Sequence, residues 1–179
     1  FSKGSSNNGY VAYYADIVYN APNGYVFATE DGVNTLIEYI GNDTELVLPA
    51  DYNGENYVIG ANVFRDNTRI TSIEIPNSVT SIGSSTFSNC TGLTSITSLI
   101  PAESLFVIDS FAFYQVDKTV CTLYVPVGAK ETYALTAGWS EFANIVELEP
   151  EIITGGSCGK NVTWTLVDDV LTISGSGAM

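Results

Sequence analysis

The chain has 179 residues, 45% of them hydrophobic, which suffices for one solid core or a short solenoid with end caps and excludes a disordered segment. Acidic residues outnumber basic ones 20 to 6, a net charge of −14, which argues against nucleic acid or anionic lipid as partners because either needs a basic patch. Histidine is absent, which removes Ser-His and Cys-His nucleophile pairs and the usual zinc ligand sets.

The chain opens on Phe1 with no basic-then-apolar leader and so reads as a mature or truncated product. Residues 1–8 are Gly, Ser and Asn-rich, a flexible lead-in or a vector-derived tail. Tyrosines then crowd in at Tyr10, Tyr13, Tyr14, Tyr19 and Tyr25. They suit an amphipathic strand closing the end of a stack. A sugar-stacking platform is the alternative. Asn23-Gly24 and Asp31-Gly32 are turn dipeptides bracketing Tyr25 to Ala28, so a hairpin is expected there, continued by Leu36 to Ile40.

From Ile59 a pattern is written twice. Ile59-Gly60-Ala61-Asn62-Val63-Phe64 recurs as Ile82-Gly83-Ser84-Ser85-Thr86-Phe87, and Ile70 and Ile73 recur as Leu93 and Ile96, all at an offset of 23 residues. Fixed apolar positions at such a period mark stacked units that cannot bury their apolar side alone. The unit runs apolar, two polar, Ile73-Glu74-Ile75-Pro76, Val79, Ile82-Gly83, Phe87 and then Cys90. Leu46-Val47-Leu48-Pro49 before Tyr57-Val58-Ile59 is a looser copy. So is Leu99-Ile100-Pro101 before Ile108 to Phe113, where the offset stretches to 26. Leu123-Tyr124-Val125-Pro126 supplies a later strand.

Alternation at Ile73-Glu74-Ile75 turns the isoleucines inward and the glutamate outward, and proline ends the strand because it lacks an N–H. Gly60 and Gly83 are expected at tight corners with positive φ, where Asp109 in the third unit is a poorer fit. The phenylalanines are expected to form one internal column.

This unit resembles the BspA-type leucine-rich repeat of bacterial surface proteins, with its L-x-x-I-x-I-P, V-x-x-I-G and F-x-x-C segments. The resemblance implies a buried role for Cys90. Of the other cysteines, Cys121 lies next to an inward strand position and Cys158 in a glycine-rich link. A Cys90–Cys121 disulfide stays open.

Beyond Pro126, Gly128 to Gly138 reads as the one helix, with Ala129, Tyr133 and Ala137 on one face and Gly138 ending it. With Trp139, Phe142 and a strand at Asn144 to Glu147, this segment is similar to the carboxy-terminal closure of BspA-type arrays, and Trp139 reads as a lid before it reads as a ligand platform. After an acidic linker, residues 159–175 alternate about Asp168-Asp169 as a hairpin would. That segment resembles the opening of a further array, with Asp169 where a turn glycine is expected.

The fold expected is therefore mainly β with one short helix: a leucine-rich-repeat solenoid with an N-terminal hairpin cap over 1–35, repeats over 36–125, a helix-containing cap and linker over 126–150, and a hairpin over 151–179 opening a truncated module. No catalytic, metal or cofactor site is expected, and no D-x-[DN]-x-[DN]-G calcium loop is present. With no run of eighteen apolar residues, no membrane insertion is expected within this segment. What the resemblance implies is a non-enzymatic, extracellular or cell-surface protein that binds a host or bacterial surface protein. A carbohydrate-binding module and a structural spacer are the alternatives. If the strands line the binding face, alternation puts Ser72, Glu74, Ser95, Thr97, Thr122 and Tyr124 outward.

Overall fold

The computed structural model describes residues 16–18, 24–150, 152–157, 162–167 and 170–175. Strands β1 (Asp16–Val18), β2 (Tyr25–Glu30) and β3 (Val33–Tyr39) form an antiparallel meander. Asp31 and Gly32 between β2 and β3 both have positive φ, 50° and 79°, the two-residue turn whose twist matches that of the strands it joins. Strands β5 (Tyr57–Ile59) and β7 (Val79–Ile82) then join β3 in parallel, giving the order β1-β2-β3-β5-β7.

A second sheet takes the alternate strands. Here β4 (Glu45–Val47), β6 (Ser72–Ile75), β8 (Ser95–Ser98), β9 (Thr122–Val125) and β10 (Asn144–Glu147) lie side by side, every pair parallel. Leu46, Ile73, Ile96, Leu123 and Ile145 share one in-register row, all buried. In the core the rings of Phe64 and Phe87 stack at 5.1 Å and 3°, and those of Phe87 and Phe113 at 5.0 Å and 7°. Tyr39 meets one end of this column at 5.6 Å and Phe142 the other at 5.3 Å. The column joins the phenylalanines at the 23-residue offset and at the stretched offset of 26.

The corners differ from expectation. Gly60 and Gly83 are not in the left-handed region; that conformation falls instead on Asn62 and Ser85, and on Asp66, Asn89 and Gln115, each two residues after a column phenylalanine. The glycines are needed for approach. A Cβ on Gly60 would sit 2.9 Å from the Leu36 carbonyl oxygen, and one on Gly83 2.5 Å from the Ala61 nitrogen. The Gly60 and Gly83 N–H groups donate to the carbonyls of Leu36 and Ile59, both at 2.8 Å. Asp109 has no positive φ either, and no strand is laid against β7 beyond β5 among the described residues.

The helix α1 (Lys130–Leu135) is shorter than the sequence suggests. Ala129 and Tyr133 are buried, but Ala137 is exposed, because the chain leaves the helix at Thr136 and the four-residue spacing no longer applies. Gly138 does have positive φ, 86°, and a side chain there would run into Ile108. Tyr133 reaches into the second sheet. Its hydroxyl donates to the Ile100 carbonyl at 2.8 Å, which leaves Ser98 as the donor in the 2.6 Å contact between the two hydroxyls. Ser98 is fully buried in register with Ile75, and this bond offsets its desolvation.

Strands β11 (Ile152–Ser157), β12 (Val162–Val167) and β13 (Val170–Gly175) form a third sheet, an antiparallel meander.

Candidate functional site

The outward side of the second sheet gathers the residues that alternation marks. Sheet register aligns Glu45, Ser72, Ser95, Thr122 and Asn144 in one row and Val47, Glu74, Thr97, Tyr124 and Val146 in the next. All six sequence-marked residues, Ser72, Glu74, Ser95, Thr97, Thr122 and Tyr124, are half-buried and lie on this one face. Parallel strands spaced ~4.8 Å apart make the face roughly 19 Å across from β4 to β10.

Four residues of these rows are absent from the sequence-derived set: Glu45 and Val47 at one edge, Asn144 and Val146 at the other. The signal was there, in the same alternation at Glu45-Leu46-Val47 and Asn144-Ile145-Val146. They matter because Val47 and Val146 are 65% and 43% exposed, so the second row runs from one open valine to the other through Glu74, Thr97 and Tyr124. Glu45 and Glu74 are the only charges in the two rows; the rest is hydroxyl, amide, aromatic or aliphatic. Such a surface gives directional hydrogen bonds at a lower desolvation cost than a charged one would.

Threonines brace the side where the strands begin. The Thr71 hydroxyl donates to the Thr44 carbonyl and the Thr94 hydroxyl to the Thr71 carbonyl, both at 3.1 Å. These bonds tie the starts of β4, β6 and β8 together.

The other candidate groups are committed to the interior. Trp139 is fully buried, its Nε1 donating to the Phe106 carbonyl at 2.9 Å, so it cannot stack on a ligand. Tyr25 is buried with its hydroxyl donating to the Val47 carbonyl at 3.0 Å, whereas Tyr10, Tyr13, Tyr14 and Tyr19 lie outside the described residues. Cys90 and Cys121 are free thiols in the core, and Cys90 Sγ donates to the Phe64 carbonyl at 3.1 Å. Burial pushes the Cys90 thiol up to about 11 and the Cys121 thiol up to about 12. Neither is a thiolate at neutral pH, the form a nucleophile or metal ligand needs. Cys158 and the Asp168-Asp169 turn lie outside the described residues. Among the described residues no group of three His, Cys, Asp or Glu is placed to hold a metal, and no helix is long and apolar enough to cross a membrane.

Residues 57–136 match the pattern of the BspA type leucine rich repeat region, in six copies. No curated protein matches the chain. Two solved structures are similar to it. A leucine rich cell surface protein from Faecalibacterium prausnitzii is 21% identical, with a TM-score of 0.46, over 80% of this chain and 44% of that one. A leucine-rich repeat protein from Bacteroides capillosus is 22% identical, with a TM-score of 0.38, over 74% of this chain and 99% of that one. The chain thus spans less than half the length of the Faecalibacterium protein.

Proposed function

We propose, from the premise that residues 57–136 are a BspA-type leucine-rich repeat region, that this chain is a short solenoid presenting the outer face of its second sheet to a protein partner. In this reading residues 1–35 and 126–150 close the two ends, 36–125 carry the repeats, and 151–179 begin a further module. The observation that carries the reading is the pair of in-register rows, the second of which ends on exposed Val47 and Val146 and sets Tyr124 beside Thr97, with only two charges between them. Weakly charged faces with a half-buried tyrosine fit protein recognition, in which aromatic anchors dominate.

The role is adhesion, without catalysis, at the cell surface or outside the cell, with a surface protein of a host or a neighbouring bacterium as ligand. The sugar-binding alternative loses Trp139 and Tyr25 as platforms, since both are interior.

The test is an array of immobilised matrix and bacterial-surface proteins, with a glycan array in parallel. Thr97→Arg with Tyr124→Ala is expected to lower protein binding at least about tenfold, as loss of one anchor does. Binding that survives both changes, or that is selective for glycans alone, overturns the proposal.

A further inference from the structure

The outward side of the second sheet carries a third row beside the two polar ones. Past the strand ends the ladder continues: the Leu48 N–H donates to the Glu74 carbonyl at 3.0 Å, that of Leu99 to Ile75 at 2.8 Å and that of Leu148 to Val125 at 2.7 Å. Leu48, Ile75, Ser98 and Val125 are buried, and the Glu147 carboxylate is turned to the Lys130 N–H. Alternation therefore puts the residues that follow them, Pro49, Pro76, Leu99, Pro126 and Leu148, on the outward side. Every one is apolar, and Leu99 is exposed. Along the strands the face thus passes from hydroxyl and amide, through the mixed row, to proline and leucine.

The charges on this face are both negative. Glu45 on β4 and Glu74 on β6 are diagonal neighbours, about 8 Å apart from strand spacing and rise, so one long side chain can reach both. Among the described residues no cation answers them, since the ion pairs are Arg65 with Asp66 and Lys118 with Glu141. Arg69, three residues before Ser72, donates instead to the Asn42 carbonyl at 3.2 Å. Two like charges are left side by side on a face that otherwise has none.

We propose, on the reading that this face is the adhesive one, that its occupant is a basic amphipathic helix of the partner protein. The apolar stripe of that helix lies along the row of prolines and leucines, and a lysine or arginine on its flank meets Glu45 and Glu74. The direction of the row selects a helix, because the row runs across the strands. Along one stripe of a helix side chains recur every ~5.4 Å against a strand spacing of ~4.8 Å, a drift of only ~2.4 Å over the four gaps from β4 to β10. An extended segment repeats every ~6.7 Å and drifts by ~7.6 Å over the same gaps, more than one whole strand. A helix of about 13 residues spans the row. Basic character follows from the two unanswered carboxylates and from a net charge of −14, which steers a cationic partner inward. A second copy of the chain fits poorly, since it brings the same negative charge.

The test measures binding to the whole chain by fluorescence anisotropy of a labelled peptide of about 15 residues, made of leucine, alanine and lysine with the leucines on one helical stripe. It is compared with a scrambled peptide of the same composition and with one carrying glutamate for lysine. The striped lysine peptide is expected to bind at least about tenfold tighter than either. Glu45→Gln with Glu74→Gln is expected to weaken it roughly tenfold and Leu99→Ser roughly fivefold. Glu30→Gln with Glu38→Gln, at exposed positions of the first sheet, removes the same charge and is expected to change binding by less than about twofold. Equal weakening by the two glutamine pairs would assign the attraction to net charge alone and overturn the proposal. So would absence of binding by the striped lysine peptide, equal binding of the scrambled one, or self-association of the chain that Leu99→Ser abolishes. The protein array separates this proposal from the adhesive role. Capture that is lost with Thr97→Arg and Tyr124→Ala, yet indifferent to Glu45→Gln with Glu74→Gln, refutes the basic helix and leaves the adhesive face standing.

Discussion

The two parallel ladders part company at one point in the chain. The second sheet runs unbroken from β4 to β10, whereas the first stops at β7. At Gly60 and Gly83 the backbone lies against the preceding unit because no Cβ intervenes. At the third corner stands Asp109, whose carboxylate accepts from the Phe111 N–H at 2.8 Å and the Ser84 hydroxyl at 3.2 Å. The turns nevertheless stay in phase. Phe87 and Asn89 donate to the carbonyls of Ala112 and Tyr114, both at 2.8 Å, as Phe64 and Asp66 donate to those of Thr86 and Ser88 at 3.0 and 2.9 Å. A stack therefore survives the loss of one strand ladder if the turns and the rings beneath them keep their spacing.

That comparison is broken most severely in the ring column, which carries the contact where the strands no longer do. Phe87→Ala removes a fully buried ring between two stacked neighbours, and a loss of about 3–5 kcal/mol in urea unfolding is expected. An unchanged midpoint would mean that the column is not what holds the units together. The corners come next. Gly83→Ala forces a methyl onto backbone atoms of Ala61 and is expected to cost roughly 1–3 kcal/mol. Asp109→Gly, on the ladder-free side, loses only exposed hydrogen bonds, worth about 0.5–1.5 kcal/mol. Equal costs at the two corners would refute the distinction drawn between them.

The smallest effect at neutral pH is the response to alkali. Burial raises Cys90 from 9.0 to about 11, Cys121 from 9.0 to about 12 and Tyr133 from 10.0 to about 12. Raised folded-state values favour the protonated form, so the stabilisation is complete below the unfolded values and is lost as pH climbs through the folded ones. Melting temperature is thus expected to hold up to pH 9 and to fall between pH 9 and 12. A profile flat across that window would place these side chains in water.

Much of this was readable in advance. The repeated Ile-Gly and Phe positions located the column, and alternation about Ile73, Ile96 and Leu123 put the six face residues on one side. Strands of period two leave no other choice once one side is apolar. The edge members Glu45, Val47, Asn144 and Val146 follow from the same rule, but their strands lie where the repeat pattern is loosest.

By itself, then, the amino-acid order determined the period, the inward and outward sets, and the turn at Asp31-Gly32, all of which are local patterns. Tertiary structure alone decided why Gly60 and Gly83 are glycine, where the first ladder stops among the described residues, and how Tyr133 satisfies Ser98. Each of those depends on how closely backbone from one unit approaches another, a distance set between segments far apart in the chain.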